Sequence, residues 1–171
     1  MSNKKLIPKD NVLFFEINQN KNLGPKVKNF LISNWYSTIM VIHQEIIDMT
    51  KLEGFIAVNN NEIVGLITYK IYEDHIEIIS LNSKVKGIGI GSHLIDLLIK
   101  KAKQLNFKYV NTFTTNDNIN AIKFYQINGF KFKKLYKDVI KESRKIKPEI
   151  PLVGESGIGI LDEIEFEMEI L

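Results

Sequence analysis

Apolar and polar positions change period several times along the chain, and each change marks an element. "NVLFFEIN" (Asn11–Asn18) is dense in β-forming residues and predicts a first strand. Behind Pro25, "GPKVKNFLISNW" repeats Val27, Phe30, Leu31 and Trp35 at helical spacing, with the proline placed for a helix start. "STIMVIHQEIIDMTKL" predicts an extended piece near Thr38–Ile42, then a helical turn or two ending before Gly54. Three β-rich runs follow, Phe55–Val58, Ile63–Ile71 and His75–Leu81, separated by the turn-like "NNNE" and "YEDH". They read as an antiparallel meander.

The period then lengthens. "GSHLIDLLIKKAKQLNF" is an amphipathic helix with Leu94, Leu97, Leu98, Ala102 and Leu105 on its apolar face. "KYVNTFTT" is a strand, and "DNINAIKFYQINGF" a helix closed by Gly129 as a left-handed C-cap, with Phe130 as the accompanying apolar contact. "KFKKLY" begins another strand. "KDVIKESRKIKPEIPLVGESGIG" reads as a short helix and a long loop. The closing "DEIEFEMEIL" alternates, which sends Ile164, Phe166, Met168 and Ile170 inward and leaves Glu163, Glu165, Glu167 and Glu169 as one acidic stripe. The order βα, βββα, βα, ββ implies an α/β fold built on a mixed sheet. No repeat or break divides residues 1–171, so one domain is expected.

Two glycine clusters stand out. "GESGIG" (154–159) leads into a strand, with no helix behind it to supply amides, and reads as a connecting turn. "SKVKGIGIGS" (83–92) leads into the strongest helix of the chain. A dinucleotide fingerprint needs G-x-G-x-x-G in a parallel unit, and here Leu94 stands three places after Gly91. A nucleotide-phosphate loop needs a lysine after its last glycine, where this chain has Ser92-His93. What remains is a set of amides at a helix N-terminus, from about Gly87 to Ser92, with Lys86 at the entrance, which suits a pyrophosphate.

Lys86-Gly87-Ile88-Gly89-Ile90-Gly91 resembles the Arg/Gln-x-x-Gly-x-Gly/Ala loop of the GNAT acyltransferase superfamily, with lysine in place of the usual first residue. The segment "NDNINAIKFYQINGF" resembles a second motif of that family at Asn118, Ala121, Tyr125, Gly129 and Phe130. Together they span about Phe55 to Leu135. The resemblance implies a mixed, mostly antiparallel central sheet flanked by helices, and transfer of an acetyl group from acetyl-coenzyme A directly to an amine, with no metal. It implies that residues 86–92 hold the coenzyme pyrophosphate. It also implies that the backbone near Leu81 meets the pantetheine arm where the strand splays, and that Asn118 bonds the coenzyme.

Tyr125 is the expected general acid, since offsets of three, four and seven put it on one helix face with Asn118 and Ala121. Its alternative is a buried aromatic with a satisfied hydroxyl. Glu77, flanked by isoleucines in "HIEIISL", is the expected base, sharing a strand face with Leu81; the alternative is a glutamate on a solvated sheet face. His75 is the substitute base, Glu73 or Asp74 would act through water, and His93 reads as surface or phosphate-adjacent. Thr114 and Thr115 line the site or cap the next helix.

Composition narrows the remainder. At 171 residues, 44% apolar and 25% charged, the chain has the profile of a soluble globular protein. No apolar run reaches the roughly 18 residues of a membrane span, and no signal segment follows the basic start, so a cytoplasmic location is expected. The absence of cysteine excludes disulfides, thiolate metal sites and a cysteine nucleophile. A net charge of +3 makes nucleic acid an unlikely partner. Twenty-two lysines accompany a single arginine, Arg144, which suggests either chance or a task needing a bidentate donor. The acidic stripe reads first as a solubilising strand face, and otherwise as a surface for a cationic acceptor or a partner for Arg144. The acceptor is expected to be a small-molecule amine, ahead of a protein amine and an RNA-linked one. A homodimer is expected by family analogy, and the competing functional reading is a coenzyme-binding module without turnover.

Overall fold

The computed structural model describes residues 11–19 and 23–170. The basic start, residues 1–10, and Leu171 at the close of the last expected strand lie outside the described residues. Strand β1 (Leu13–Glu16) leads to helix α1 (Gly24–Trp35), and a small β2–β3 hairpin (Ile39–Ile42, Glu45–Asp48) follows. The meander is β4 (Glu53–Asn59), β5 (Glu62–Ile71) and β6 (His75–Ser83). Then come α2 (Ile90–Gln104), β7 (Tyr109–Thr115), α3 (Ile119–Ile127), β8 (Lys131–Tyr136), α4 (Ile140–Ile146) and β9 (Glu163–Glu169). Seven strands form one sheet in the order β1-β4-β5-β6-β7-β9-β8. Every neighbouring pair is antiparallel except β6–β7.

Each face of the sheet carries its own core. On one face, Ile90, Leu94, Ile95, Leu98 and Ala102 of α2 pack with Ile76, Ile78, Val110, Tyr125 and Phe166. On the other, Val27, Phe30 and Leu31 of α1 and Ile42 and Ile47 of the hairpin cover Ile56, Leu66 and Ile79. Leu105, expected on the apolar face of α2, falls past the helix end and is exposed; Ile95 takes the buried place. Gly65 in β5 permits the close docking of α2, because a β-carbon there would lie 2.5 Å from the Ile90 side chain. Gly129 closes α3 as expected, with φ near 91° and the Phe130 N–H donating to the Tyr125 carbonyl at 3.0 Å.

Three sequence expectations need correction. The segment after Ile42 is a strand, not a helical turn. His43 and Gln44 form a two-residue hairpin turn with φ of 52° and 66°, a conformation usually signalled by Asn-Gly. His-Gln gives no such signal, so the hairpin was hidden. The acidic stripe is a solvated face only toward its end, since Glu163 and Glu165 are buried, Glu167 is half-buried and Glu169 is exposed.

Among the described residues, Arg144 meets no carboxylate. It donates from Nε to the Ile150 carbonyl (3.1 Å) and from Nη2 to those of Pro151 and Ile160 (both 2.6 Å). The lone arginine fastens the loop between α4 and β9, where one flat guanidinium reaches three acceptors that a point ammonium cannot. Arg144→Lys is expected to cost about 1–2 kcal/mol, visible as a lowered midpoint in chemical denaturation. The second glycine cluster lies in the same loop and forms a turn, with Val153 bridged to Gly159.

Candidate active site

The site begins where the sheet comes apart. β6 and β7 pair only over His75–Ile78 against Tyr109–Thr112, yet they continue to Ser83 and Thr115. Just past this ladder β6 carries a bulge. Thr68 faces Ser80 and Tyr69 faces Ile78, so Ile79 has no partner on β5. A bulge bends its strand and adds twist, and here it turns β6 away from β7. It also shifts the alternation by one residue. Leu81 therefore packs toward α2, whereas Glu77, between Ile76 and Ile78, points to the opposite face. The expectation that Glu77 and Leu81 share a face fails for this reason.

Above the opening stands the glycine loop. Gly87 and Gly89 have φ of 85° and 79°, a region that side-chain-bearing residues adopt at a cost. Gly89 occupies the N-cap of α2, and no side chain caps the helix. The first-turn amides consequently stay free for an anion. The loop, the end of β6 and the start of α3 enclose a cleft of about 560 Å³. Leu81, Lys86, Gly87, Gly89, Ile90, Gly91, Ser92 and Asn118 line it together with Tyr125. Ile88 does not line it and packs against the α2 core.

Sequence reasoning missed Asn82, Asn120 and Phe124, which line the same cleft. The Asn82 Oδ1 is buried with no donor in reach among the described residues, and it sits where the ladder to β7 has ended. Its place three residues after the bulged Ile79 offered no pattern to read. A linear ligand carrying amide N–H groups and a diphosphate matches this arrangement at both ends, so an acyl-coenzyme A fits the residues present.

On the α2 face, Tyr125 forms the floor of the cleft among the rings of Phe124, Phe130 and Phe166. Burial holds its hydroxyl above the ordinary tyrosine range, and the Thr112 hydroxyl opposes this. Tyr125 thus stays neutral at physiological pH. Asn118 caps α3, its Oδ1 accepting from the Ala121 N–H at 3.1 Å. His93 packs against Phe14, at 4.2 Å between ring centres.

The opposite face holds the charged groups. Glu77 is only 6% exposed, with its Oε2 3.8 Å from His75 Nε2. His75 Nδ1 lies 2.7 Å from Asp74 Oδ1, and the ring stacks on Tyr72. Hydrogen bonding to Glu77 first, and then to Asp74, raises the His75 pKa above the ordinary histidine value. Lys70, opposite Glu77 in the ladder, is drawn off by Glu45 of the hairpin. Further along, Glu163 accepts from the His43 backbone N–H (3.2 Å) and lies 3.5 Å from its ring Nδ1. Glu165 accepts from Asn111 Nδ2 (3.0 Å) and from the Tyr136 hydroxyl (2.8 Å). Glu73 and Asp74 are exposed in their turn.

A sheet opened along one parallel seam, with an uncapped helix N-terminus above and a buried tyrosine below, defines an acyl-coenzyme A-dependent acyltransferase fold. The chain belongs to the acetyltransferase (GNAT) family, whose model matches residues 26–130. That match starts well ahead of Phe55, where the motif resemblance begins. Two uncharacterized proteins of Bacillus subtilis (strain 168), YdhI and YxbD, are 42% and 41% identical over 139 residues, covering 81% of this chain and 87% of each relative. A GNAT family acetyltransferase from Elizabethkingia anophelis, solved with acetyl-CoA bound, superposes with a TM-score of 0.65. It is 24% identical, over 94% of this chain and 99% of its own, and it demonstrates the shared fold. Among the described residues, no helix is long and apolar enough to cross a membrane.

Proposed function

We propose that this protein moves an acetyl group from acetyl-coenzyme A to a primary amine of a small molecule, by direct transfer within one ternary complex. The observation that carries the reading is the seam itself. It opens beside the cleft on the α2 face, and Glu77 stands next to the last pair of the ladder on the opposite face, which supports donor and acceptor approaching one another at the seam. The bound thioester would supply an activated acyl carbon and a thiol leaving group. Lys86 and the amides of Gly87–Ser92 hold the diphosphate. Leu81 and Asn82 offer backbone and side-chain partners to the arm, and Asn118 keeps its amide nitrogen for the same ligand. Glu77 takes the proton of the acceptor amine on one face, and Tyr125 gives a proton to the departing sulfur on the other. The acid and the base thus never compete for one position.

The chain has no cysteine, so a thiol reagent reports released coenzyme A without protein background. Acetyl-coenzyme A with a panel of small amines is expected to release thiol in proportion to enzyme. Tight coenzyme binding with no release from any amine would overturn the reading in favour of a binding module.

A further inference from the structure

The charged face beside the seam holds more buried acid than the reaction uses. Glu77, Glu163 and Glu165 are 6%, 4% and 6% exposed and lie on one side of the sheet, and Glu167 extends the row. The lysines that face them are few. Lys133 is the bulged residue of β8 and bridges Glu165 (3.1 Å) and Glu167 (2.8 Å). Lys134 lies over the Tyr136 ring, 4.6 Å from its centre. Lys70 is held by Glu45, and His75 is shared by Asp74 and Glu77. Among the described residues, only the half-exposed His43 comes within ion-pairing distance of Glu163.

A second observation asks for a donor at the same place. Asn111 is 2% exposed, stands opposite Glu77 in the ladder, and spends its Nδ2 on Glu165. Its Oδ1, on the other side of the amide plane, is buried with no partner among the described residues. An orphaned carbonyl oxygen among carboxylates accepts only from an N–H or O–H that the protein does not supply. Aromatic rings stand beside Glu163 and Glu165, where His43 and Tyr136 make their contacts. Phe113 is in ring contact with His43 (5.8 Å) and Tyr136 (5.9 Å), and His43 meets Tyr136 edge-on at 4.1 Å. A carboxylate beside an aromatic face is complementary to an ammonium.

We propose that this wall selects the acceptor, and that the acceptor is an aliphatic amine bearing a second positive charge besides the nitrogen that is acylated. The proposal rests on the acetyltransferase reading. The attacking nitrogen must be neutral; as the new N–C bond forms and the C–S bond breaks, its surplus proton passes to Glu77 and the sulfur takes the proton of Tyr125, which is then reprotonated from solvent while Glu77 gives its proton up. Once neutral, that nitrogen no longer balances any carboxylate. Glu163 then needs a cation that persists through the reaction, and a second ammonium provides it. Burial holds the Glu163 carboxyl above the ordinary carboxylate range, against the pull of His43, while Glu77 pushes it further up. A bound ammonium would relieve this. The strand register sets Glu165 and Glu163 on the order of 12 and 16 Å from Glu77 between Cα atoms, a span that two long side chains and a short diamine bridge.

The test compares putrescine and spermidine with aminobutanol and aminobutyrate in the thiol-release assay, on wild type and on Glu163→Gln. The wild type is expected to favour the diamines over aminobutanol by about tenfold or more in kcat/KM and to disfavour aminobutyrate. In Glu163→Gln the KM for putrescine should rise about tenfold, with kcat changed far less, and the preference over aminobutanol should vanish. Should that variant fail to fold, Phe113→Leu carries the same expectation. Equal use of charged and neutral amines by the wild type, or a preference that survives Glu163→Gln, overturns the inference and leaves the acetyltransferase reading intact. If no amine releases thiol, the acetyltransferase reading fails. The cation site is then judged by calorimetry with putrescine alone. Heat of binding to the wild type that is lost in Glu163→Gln upholds the site, and its absence from both removes it.

Discussion

Tyr125→Phe is expected to lower kcat by about a hundredfold or more while leaving the fold in place. The ring is held by Phe124, Phe130 and Phe166, and phenylalanine keeps all three contacts. Among the described residues the hydroxyl has only the Thr112 hydroxyl beside it, so its loss should change unfolding free energy by about 1 kcal/mol or less. A purely structural tyrosine would give the same stability and an unaltered kcat. Because burial raises the Tyr125 pKa, the hydroxyl is protonated at neutral pH and holds the proton that the proposed step uses. The loss should therefore fall on kcat, with KM for acetyl-coenzyme A nearly unchanged. An unaltered turnover would remove Tyr125 from the mechanism.

Glu77→Gln is expected to reduce kcat/KM by about a hundredfold and to change the pH–rate profile. Two groups could otherwise claim the role, and the structure separates them. His75 stands two residues further from the opening, engaged by Asp74 and Tyr72. Glu163 is bound by His43. An unchanged pH–rate profile would move the base to one of these. A second readout reports the local structure. Hydrogen bonding to Glu77 is the largest cause of the raised His75 pKa, so the variant should lower that pKa toward about 6.5 in an NMR titration. Folding raises this pKa. The protonated ring therefore stabilises the protein fully below the ordinary histidine value, and the contribution fades as pH climbs through the raised one. Glu77→Gln should shed most of that acid-side stabilisation.

The parts of this molecule legible in the sequence are those where local pattern and tertiary role coincide. The α2 helix shows its buried stripe, the meander its turns, and the glycine loop its position before a helix. The Gly129 cap is written in one residue. What escaped depends on single insertions and on neighbours distant in sequence. The Ile79 bulge is one isoleucine among several, and nothing in "HIEIISL" tells which is the extra one. The His43–Gln44 turn holds two ordinary residues at positive φ, and the partner of the His43 amide, Glu163, is far away along the chain. The burial of Glu163 and Glu165 follows from the hairpin lying over β9 and from the bulge that swings Lys133 toward them. Alternation alone cannot say which face of a strand is covered when both are. Arg144 was singled out by rarity, yet its three carbonyl partners come from a loop with no periodicity.

The short parallel ladder has a mechanical consequence. Strands β1, β4, β5 and β6 make one plate and β7, β9 and β8 another, sutured only between His75–Ile78 and Tyr109–Thr112. Beyond that suture the facing edges of β6 and β7 present backbone groups with no strand to meet them. In the proposed reading, a linear amide-bearing ligand laid along the β6 edge would supply the missing partners and work as a partial eighth strand. The protein would then borrow some of its rigidity from what it binds, with the plates least firmly joined where the proposed chemistry requires them to part.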